Sequence, residues 1–293
     1  MVDASPRRGR SFRIVALVFV ALLAVGLVAA FVVYKKYVAY EPTVAAHVPS
    51  SARAAVRVDL THVMFYEPFR RSMFPLADRF AKGQSSRRER LEARGIRVNS
   101  DIREVLAVSG PGPGDWALVL GGRMPRGSTS SGVAAVLKEE GRELTEKEGV
   151  YTLAETGLAF AESADGAFAL ASSVNTLASV LPAGVSNPVL SSGSGGLLLR
   201  PGTISAAPAG VTATFRAGSV VEIRGRAELE NSERAEADIR SLLGLLAGSD
   251  AAAMGAIRSA EFSKEASGLG FRVALPREAV LGIIEALAQR VPG

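Results

Sequence analysis

The sequence predicts an α+β fold: an N-terminal transmembrane helix, followed by an exported domain, or ectodomain, made of a duplicated β-α-β-β-α unit of the ferredoxin-like type. Three observations predict it. A run of 20 residues, Ile14 to Val33, contains no charged or polar side chain. Downstream, segments that alternate as strands do are interspersed with segments of helical periodicity. The order strand, helix, two strands, helix then occurs twice.

The apolar run is long enough to cross a bilayer as a helix. At a rise of about 1.5 Å per residue it reaches about 30 Å, the thickness of the hydrocarbon core. A cleaved signal peptide is the alternative, with an apolar region of about 7–15 residues before a small-residue cleavage site. The longer run, and the bulky residues Phe31 to Tyr34 after the Ala29–Ala30 pair, favour an uncleaved anchor.

The positive charge of the chain is concentrated around this run. The net charge is +5, but residues 1–36 carry the whole excess and the remaining 257 residues are balanced. We therefore expect no nucleic-acid partner. Because basic flanks stay in the cytoplasm, the arginines before the run predict a cytoplasmic N-terminus. The Ala-, Arg- and Gly-rich composition indicates a bacterium, so we expect the inner membrane, with the bulk of the chain periplasmic or extracytoplasmic.

Composition divides the chain into six parts, since a stretch rich in Gly, Ser and Pro interrupts the ectodomain. Such a composition is typical of a connector between modules. The predicted parts are a cytoplasmic tail (1–13), the transmembrane anchor (14–34), a juxtamembrane linker (35–50), a first α+β module (51–182), the connector (183–210) and a second α+β module (211–293).

The elements of the first module follow from periodicity and turn residues. Phe65, Phe69 and Met73 share one helical face, and Pro68 and Pro75 predict a kink between two helices. The predicted strands are 54–60, 104–109, 116–122, 149–154, 157–162 and 167–172, and the predicted helices lie within 61–94, 130–140 and 173–181.

The elements of the second module have clearer boundaries. Asn231 or Ser232 caps a helix that Gly248 ends, and Pro276 opens the last helix as a favoured first-turn residue. The predicted strands are one near 196–200 within the connector, then 211–217, 219–229, 258–264 and 268–275.

The internal repeat carries the prediction of a duplicated fold. In each copy an Ile-Arg pair opens a strand, a glycine-containing turn and a second strand follow, and an apolar-Pro-Arg triplet precedes a helix. The spacing from Ile102 to Pro125 is four residues longer than that from Ile257 to Pro276, which fits the Pro-Gly-Pro-Gly insertion in the first turn. Helices packed on one side of each sheet would give a two-layer α+β arrangement.

The start of the ectodomain, from Val48 to Leu60, resembles a known family. A proline and small residues precede an alternating strand that ends in Asp59, as in a family of bacterial single-pass exported membrane proteins of unknown function with an α+β ectodomain. The resemblance covers about a dozen residues and the general layout. It implies an envelope location and transfers no functional residue.

Catalytic and metal-binding chemistry finds little support. There are no cysteines and only two histidines, His47 and His62. The pair Asp59 and His62 suits an orienting acid and a base, but a helix-capping Asp59 is the favoured interpretation. His47 is expected to face solvent. We therefore expect no enzyme, no cofactor and no metal, and a binding or structural ectodomain; the alternatives are an exported hydrolase and a small-ligand or lipid carrier.

A basic stretch between Glu67 and Arg97 is the one candidate binding surface. Nine basic residues face four acidic ones there, and an anionic lipid, a cell-wall polymer or an acidic envelope protein would suit it. The alternative is a solvated helix face paired with the chain's own acidic run between Glu139 and Glu148. The candidate contact residues are Arg70, Arg71, Arg79, Arg87, Arg88, Arg90 and Arg94. The bilayer itself is the predicted partner of residues 14–34.

Overall fold

The computed structural model describes residues 43–63, 85–203, 210–228, 232–247, 250–265 and 268–290. The predicted anchor at 14–34 and the candidate residues Arg70, Arg71 and Arg79 lie outside these ranges, as does most of the helical segment predicted for 61–94. Within the described ranges, no helix combines the length and the apolar character needed to cross a membrane.

The described residues form twelve β-strands, nine α-helices and a 3-10 turn at Val44–His47, which confirms the mixed α+β class. The strands are β1 (Ala54–Asp59), β2 (Ile102–Ser109), β3 (Trp116–Gly122), β4 (Leu144–Lys147), β5 (Val150–Leu153), β6 (Ala159–Glu162), β7 (Phe168–Ala171), β8 (Gly195–Leu199), β9 (Gly210–Ala217), β10 (Val221–Glu228), β11 (Glu261–Glu265) and β12 (Gly268–Leu275). The helices are α1 (Leu60–Val63), α2 (Ser85–Ala93), α3 (Val98–Asp101), α4 (Thr129–Glu139), α5 (Val174–Val180), α6 (Pro188–Ser191), α7 (Ser232–Ala247), α8 (Ala251–Arg258) and α9 (Arg277–Arg290).

All twelve strands belong to one sheet, in the order β11-β12-β10-β9-β8-β1-β2-β3-β7-β6-β5-β4. Neighbouring strands are antiparallel throughout. At the centre β8 pairs with β1, with Leu197 opposite Val56. The segment predicted as a connector therefore supplies a central strand, and its three leucines pack into the cores on both faces of the sheet.

The glycines of the predicted connector have a packing role at β8. A Cβ atom on Gly195 would lie 2.0 Å from the Phe215 ring, and one on Gly196 would lie 2.5 Å from the carbonyl oxygen of Val189 in α6. Real Cβ atoms do not approach other atoms so closely, so only glycine lets β8 fit between β9 and α6. A composition typical of a flexible linker is here the consequence of close backbone approach.

The two halves of the sheet share a strand order, although not the predicted one. Each half begins with three consecutive antiparallel strands. The chain then passes through a helical segment and returns in further strands, and the last of these pairs with the third strand. The shared orders are β1-β2-β3-β7-β6 and β8-β9-β10-β12-β11. The predicted units compare β1-β2-β3 with β10-β12-β11, in which the first strand pairs with different hairpin strands. The ferredoxin-like duplication is therefore not confirmed, and the similarity of the halves begins at β8 instead.

Helices cover both faces of the N-terminal half of the sheet. On one face the 3-10 turn, α5 and α6 bury Leu106, Val119 and Leu177, and on the other α4 packs over Phe160 and Phe168. In the C-terminal half, α7, α8 and α9 pack on the same side as α4. Among the described elements, no helix packs on the opposite side of β10, β11 and β12, where Arg224 and Arg272 are more than half exposed.

A buried ion pair fixes the start of the described body. Arg57 of β1 and Glu104 of β2 are fully buried, and Arg57 Nε lies 2.7 Å from Glu104 Oε2. Glu104 Oε1 accepts hydrogen bonds from the backbone N–H groups of Thr43 (2.6 Å) and Val44 (3.1 Å). Arg57 Nη1 donates to the carbonyl oxygen of Leu190 in α6, at 3.1 Å. The pair thus joins the incoming chain, two strands and α6.

The expectation that His47 faces solvent is wrong, because the side chain is only 1% exposed. Nδ1 lies 2.7 Å from the carbonyl oxygen of Val180, and Nε2 lies 3.0 Å from Asp165 Oδ2. Both ring nitrogens of His47 therefore have a partner inside the protein. Burial raises the pKa of Asp165, but hydrogen bonds from Ser163 and His47 outweigh it and leave that pKa below its usual value. Residues 43–48, predicted as part of a linker, are therefore packed into the body.

Besides the 3-10 turn, four described elements were not predicted, and all are short: β4, α3, α6 and α8. Strand β4 lies within the acidic run between Glu139 and Glu148, and it forms one edge of the sheet. A charged edge strand gives little apolar alternation, since its exposed side chains protect the edge. Helix α8 follows Asp250, whose side chain accepts a hydrogen bond from the N–H group of Ala253 at 2.7 Å.

We predict that Glu104→Ala lowers the free energy of unfolding by about 3–5 kcal/mol, because it leaves the Arg57 guanidinium buried without its counter-ion. Chemical unfolding of the detergent-solubilised full-length protein measures this. Glu89→Ala, at an exposed position of α2, is the control and should change stability by less than about 0.5 kcal/mol. Similar losses for the two variants would contradict the structural role of the ion pair.

Candidate functional site

The described part of the basic stretch is paired with the chain's own acidic residues. Glu140, just after α4, accepts hydrogen bonds from Arg87 Nε (2.7 Å) and Nη2 (2.5 Å) and from Arg90 Nη2 (2.8 Å). Arg94 forms an ion pair with Glu139. These contacts hold α2 against the C-terminal end of α4, as the alternative interpretation of a paired helix face predicts.

The same pairs set the charge state of this region. The hydrogen bond from Arg87 holds the pKa of Glu140 below its usual value, although burial opposes it. Arg88 is the most exposed of the described candidates, at 57%, and it pairs within α2 with Glu92. An anionic surface would have to compete with Glu139 and Glu140 for Arg87, Arg90 and Arg94. Contact with such a surface stays a prediction.

We predict that Glu140→Gln lowers stability by about 0–1 kcal/mol at neutral pH, because both arginine partners are about one-third exposed. The folded-state pKa of Glu140 is lowered, so its contribution is present above the unfolded-state pKa of about 4.3 and is lost as the pH falls through the folded-state value. Urea unfolding at pH 7 and below pH 4 measures the difference from the unmodified protein.

The control for this experiment is Glu143→Gln, at an exposed position of the same acidic run. It should leave stability unchanged at both pH values. A Glu140→Gln effect that grows as the pH is lowered would contradict the assigned ion pair.

Asp59 and His62 meet as a helix cap. Asp59 Oδ1 accepts from the backbone N–H groups of Thr61 (2.9 Å) and His62 (3.4 Å) at the start of α1. His62 Nδ1 lies 3.0 Å from Asp59 Oδ2, and its side chain is 64% exposed. Asp59 Oδ2 also lies 3.5 Å from Arg57 Nη2. The favoured capping interpretation is confirmed, and the carboxylate already serves three groups.

The glycine-rich segment from Gly110 to Gly114 forms the hairpin turn between β2 and β3. Gly110 N–H donates to the carbonyl oxygen of Asp115 at 2.9 Å, and Gly112 N–H donates to Asp115 Oδ2 at 2.9 Å. The carboxylate of Asp115 therefore accepts the backbone N–H group that a phosphate-binding loop would leave free for a phosphate. Across the residues that the structure describes, no group of three or more His, Cys, Asp or Glu side chains is arranged to hold a metal ion.

A second candidate surface lies on the open side of β9 to β12, and we call it the polar face. The strand pairings place its side chains on one side of the sheet: Arg224 is opposite Arg272, and Arg216 is opposite Glu222. Arginines alternate there with acidic and hydroxyl side chains. The polar face consists of Arg216, Glu222, Arg224, Arg226, Glu261, Ser263, Glu265 and Arg272.

Glu222 organises the charges of the polar face. Its Oε1 lies 2.9 Å from Arg224 Nη2 and 2.5 Å from Arg272 Nε. These hydrogen bonds hold the pKa of Glu222 below its usual value, and the one from Arg224 has the larger effect. Arg226 pairs with Glu265 at 3.5 Å. The arginines remain accessible, since Arg224 and Arg272 are 63% and 53% exposed.

Two depressions mark the polar face. One of ≈ 490 Å³ lies over β10, β11 and β12, and one of ≈ 210 Å³ lies between the segment after α6 and the strands β9 and β10. Both are open and have charged side chains in their walls. This arrangement suits recognition of an extended or flat partner with groups of both charges, rather than enclosure of an apolar ligand.

Sequence reasoning missed the polar face, although its signal is present. Glu222, Arg224 and Arg226 occur at every second position of β10, and Arg272 occupies the matching position of β12. Charges at a spacing of two on adjacent strands indicate a solvent-facing side of a sheet. The predicted two-layer packing did not distinguish which side the helices of the second module leave open.

Comparisons with known proteins give a fold likeness and no family. No family model matches the chain, and no curated protein matches it. The solved structure of crystal form III of TP0453 is similar over 85% of this chain and 99% of its own, with a TM-score of 0.50 and 11% identity. Crystal form I of TP0453 gives a TM-score of 0.48 at 12% identity, over 85% of this chain and 98% of its own. At this identity the likeness concerns the fold alone.

Proposed function

We propose that the protein is a single-pass envelope protein of a bacterial inner membrane. Residues 14–34 anchor it, and the described body lies outside the cytoplasm, where its polar face binds another envelope protein. The anchor is supported by the uncharged run from Ile14 to Val33 and by the arginines that precede it. The role is one of binding or scaffolding, without catalysis.

The open polar face is the observation that carries the proposal. The helices of the C-terminal half, α7, α8 and α9, bury one side of β10, β11 and β12 through residues such as Ile239, Phe271 and Val273. The other side presents exposed arginines in a fixed geometry. Sheet packing alone does not require arginine there, because any polar residue would serve as a solvated face.

A protein partner suits this chemistry better than an anionic polymer. The polar face holds four arginines and three glutamates. Three of these arginines form ion pairs with glutamates of the same face, namely Arg224 and Arg272 with Glu222, and Arg226 with Glu265. Arginine is enriched at protein–protein interfaces. Mixed charges favour a partner that offers both signs, since a uniformly anionic surface would repel Glu222, Glu261 and Glu265.

Site-specific photocrosslinking in intact cells tests the polar face. A photoreactive amino acid at Ser263 should give one discrete adduct, and the double variant Arg224→Ala, Arg272→Ala should reduce its yield without lowering the melting temperature. The same probe at Thr156, an exposed position between β5 and β6, is the control. Absence of an adduct at Ser263, or equal adducts at both positions, would contradict the proposal.

The anchor and its orientation have a separate test. An alkaline phosphatase fusion after residue 60 should be active, because the enzyme folds only outside the cytoplasm, and the full-length protein should resist carbonate extraction. An inactive fusion would overturn the orientation, and release by carbonate would overturn the anchor.

A further inference from the structure

We propose that the loop from Pro182 to Ser186, together with the exposed side of α5, rests on the surface of the bilayer. This contact would set the orientation of the body on the membrane. The inference rests on the proposed function, since it requires the anchor.

The first observation is a long uncharged segment in an otherwise charged chain. Residues 166–199 contain no Asp, Glu, Lys or Arg over 34 positions, although charged residues make up 22% of the sequence. The segment is not simply core. Val174 is 46% exposed, and Ala178, Pro182 and Ala183 are exposed as well. Exposed side chains without charge avoid the cost of removing ions from water when they meet a lipid interface.

The second observation is the tip of this surface. Val185 is 98% exposed, the highest exposure among the large apolar side chains that the structure describes. The loop that presents it is fixed: Gly184 N–H donates to the carbonyl oxygen of Ala46 at 2.8 Å, and Asn187 N–H donates to that of Ala45 at 3.4 Å. The loop therefore holds the Val185 side chain outward, and contact with an apolar medium would bury it without a change in the backbone.

The third observation is where the chain enters the body. On the proposed function, the chain leaves the bilayer at Tyr34 and reaches the body at Thr43, with eight residues between them. At about 3.3–3.6 Å per extended residue these span at most about 30 Å. The body is held at Thr43 by Glu104, and the Val185 loop bonds to the 3-10 turn that follows directly. The uncharged surface is thus the part of the body next to the point of attachment.

The bilayer is the occupant that these observations favour. A protein partner would also cover an apolar tip, but on the proposed function the anchor keeps lipid within reach of the body, which raises the effective concentration of lipid. The polar face lies on the other half of the sheet and remains available to a protein.

A fluorescence experiment on the full-length protein tests the contact. The chain has no cysteine, so Val185→Cys is labelled at one site with an environment-sensitive fluorophore. The labelled protein is reconstituted in vesicles of phosphatidylethanolamine with a minor fraction of phosphatidylglycerol. We expect blue-shifted emission, loss of quenching by aqueous iodide, and quenching by a nitroxide attached to the lipid chains.

The control is Thr156→Cys with the same fluorophore. Its turn lies at the opposite end of the strands from the β6–β7 turn, which carries Asp165 and contacts His47. This label should remain quenched by iodide and unaffected by the lipid nitroxide. Because both variants carry the same fluorophore, the comparison also controls for any tendency of the fluorophore itself to enter lipid.

The outcomes separate the contact from the anchor. Release of the protein from the vesicles by carbonate would overturn the proposed function. Retention with equal iodide quenching at positions 185 and 156 would overturn the contact alone. Protection of position 185 from iodide without quenching by the lipid nitroxide would assign the loop to a protein neighbour. This result would also overturn the contact with the bilayer.

Discussion

The pairing of β1 with β8 is the constraint on which the rest of the structure depends. It joins a half of seven strands to a half of five strands in one sheet, and it places Arg57 of β1 beside the glycines of β8. The Arg57–Glu104 ion pair lies at this junction and binds the incoming chain through the backbone of Thr43 and Val44. An arrangement that separated the two partners would leave a buried charge without its counter-ion, which is strongly unfavourable. The pair therefore favours this one arrangement of the strands. The position of the chain entry therefore follows from the junction.

The two halves differ in what covers them, and this difference carries the functional argument. The N-terminal half is covered on both faces, and on one of them α5 and the loop from Pro182 to Ser186 contain no charged residue. The C-terminal half is covered on one face and presents arginines and glutamates on the other. One chain thus offers two surfaces of opposite chemistry, and the two proposals above assign one to a bilayer and one to a protein partner.

The sequence predicts the elements better than their arrangement. Alternation located β1, β2, β3, β9, β10 and β12 within two residues, because each is long enough to show its period. Strand β4 escaped notice because its four residues are charged and lie at the edge. The central position of β8 could not be inferred, since glycines that permit close approach look like those of a linker. His47 was misjudged because nothing local signals that Val180 and Asp165, more than a hundred residues away, supply its acceptors.

The two candidate surfaces differ in how visible they are in the sequence. Arg87, Arg90 and Arg94 form a conspicuous run in the sequence, yet Glu139 and Glu140 meet them across about fifty residues. The arginines of the polar face are dispersed along three strands, and only the strand register brings them together. A run of basic residues can be recognised in the sequence alone, whereas a face assembled from several strands can be recognised only when the strand pairing is known.

Hydrogen–deuterium exchange of the full-length protein tests the central claim most directly. If β8 joins the two halves, amides of residues 195–199 should exchange as slowly as those of β1, because both strands lie in the middle of one sheet. Exchange at the rate of an unstructured connector, with slow exchange confined to β1, would show two separate modules and contradict the account.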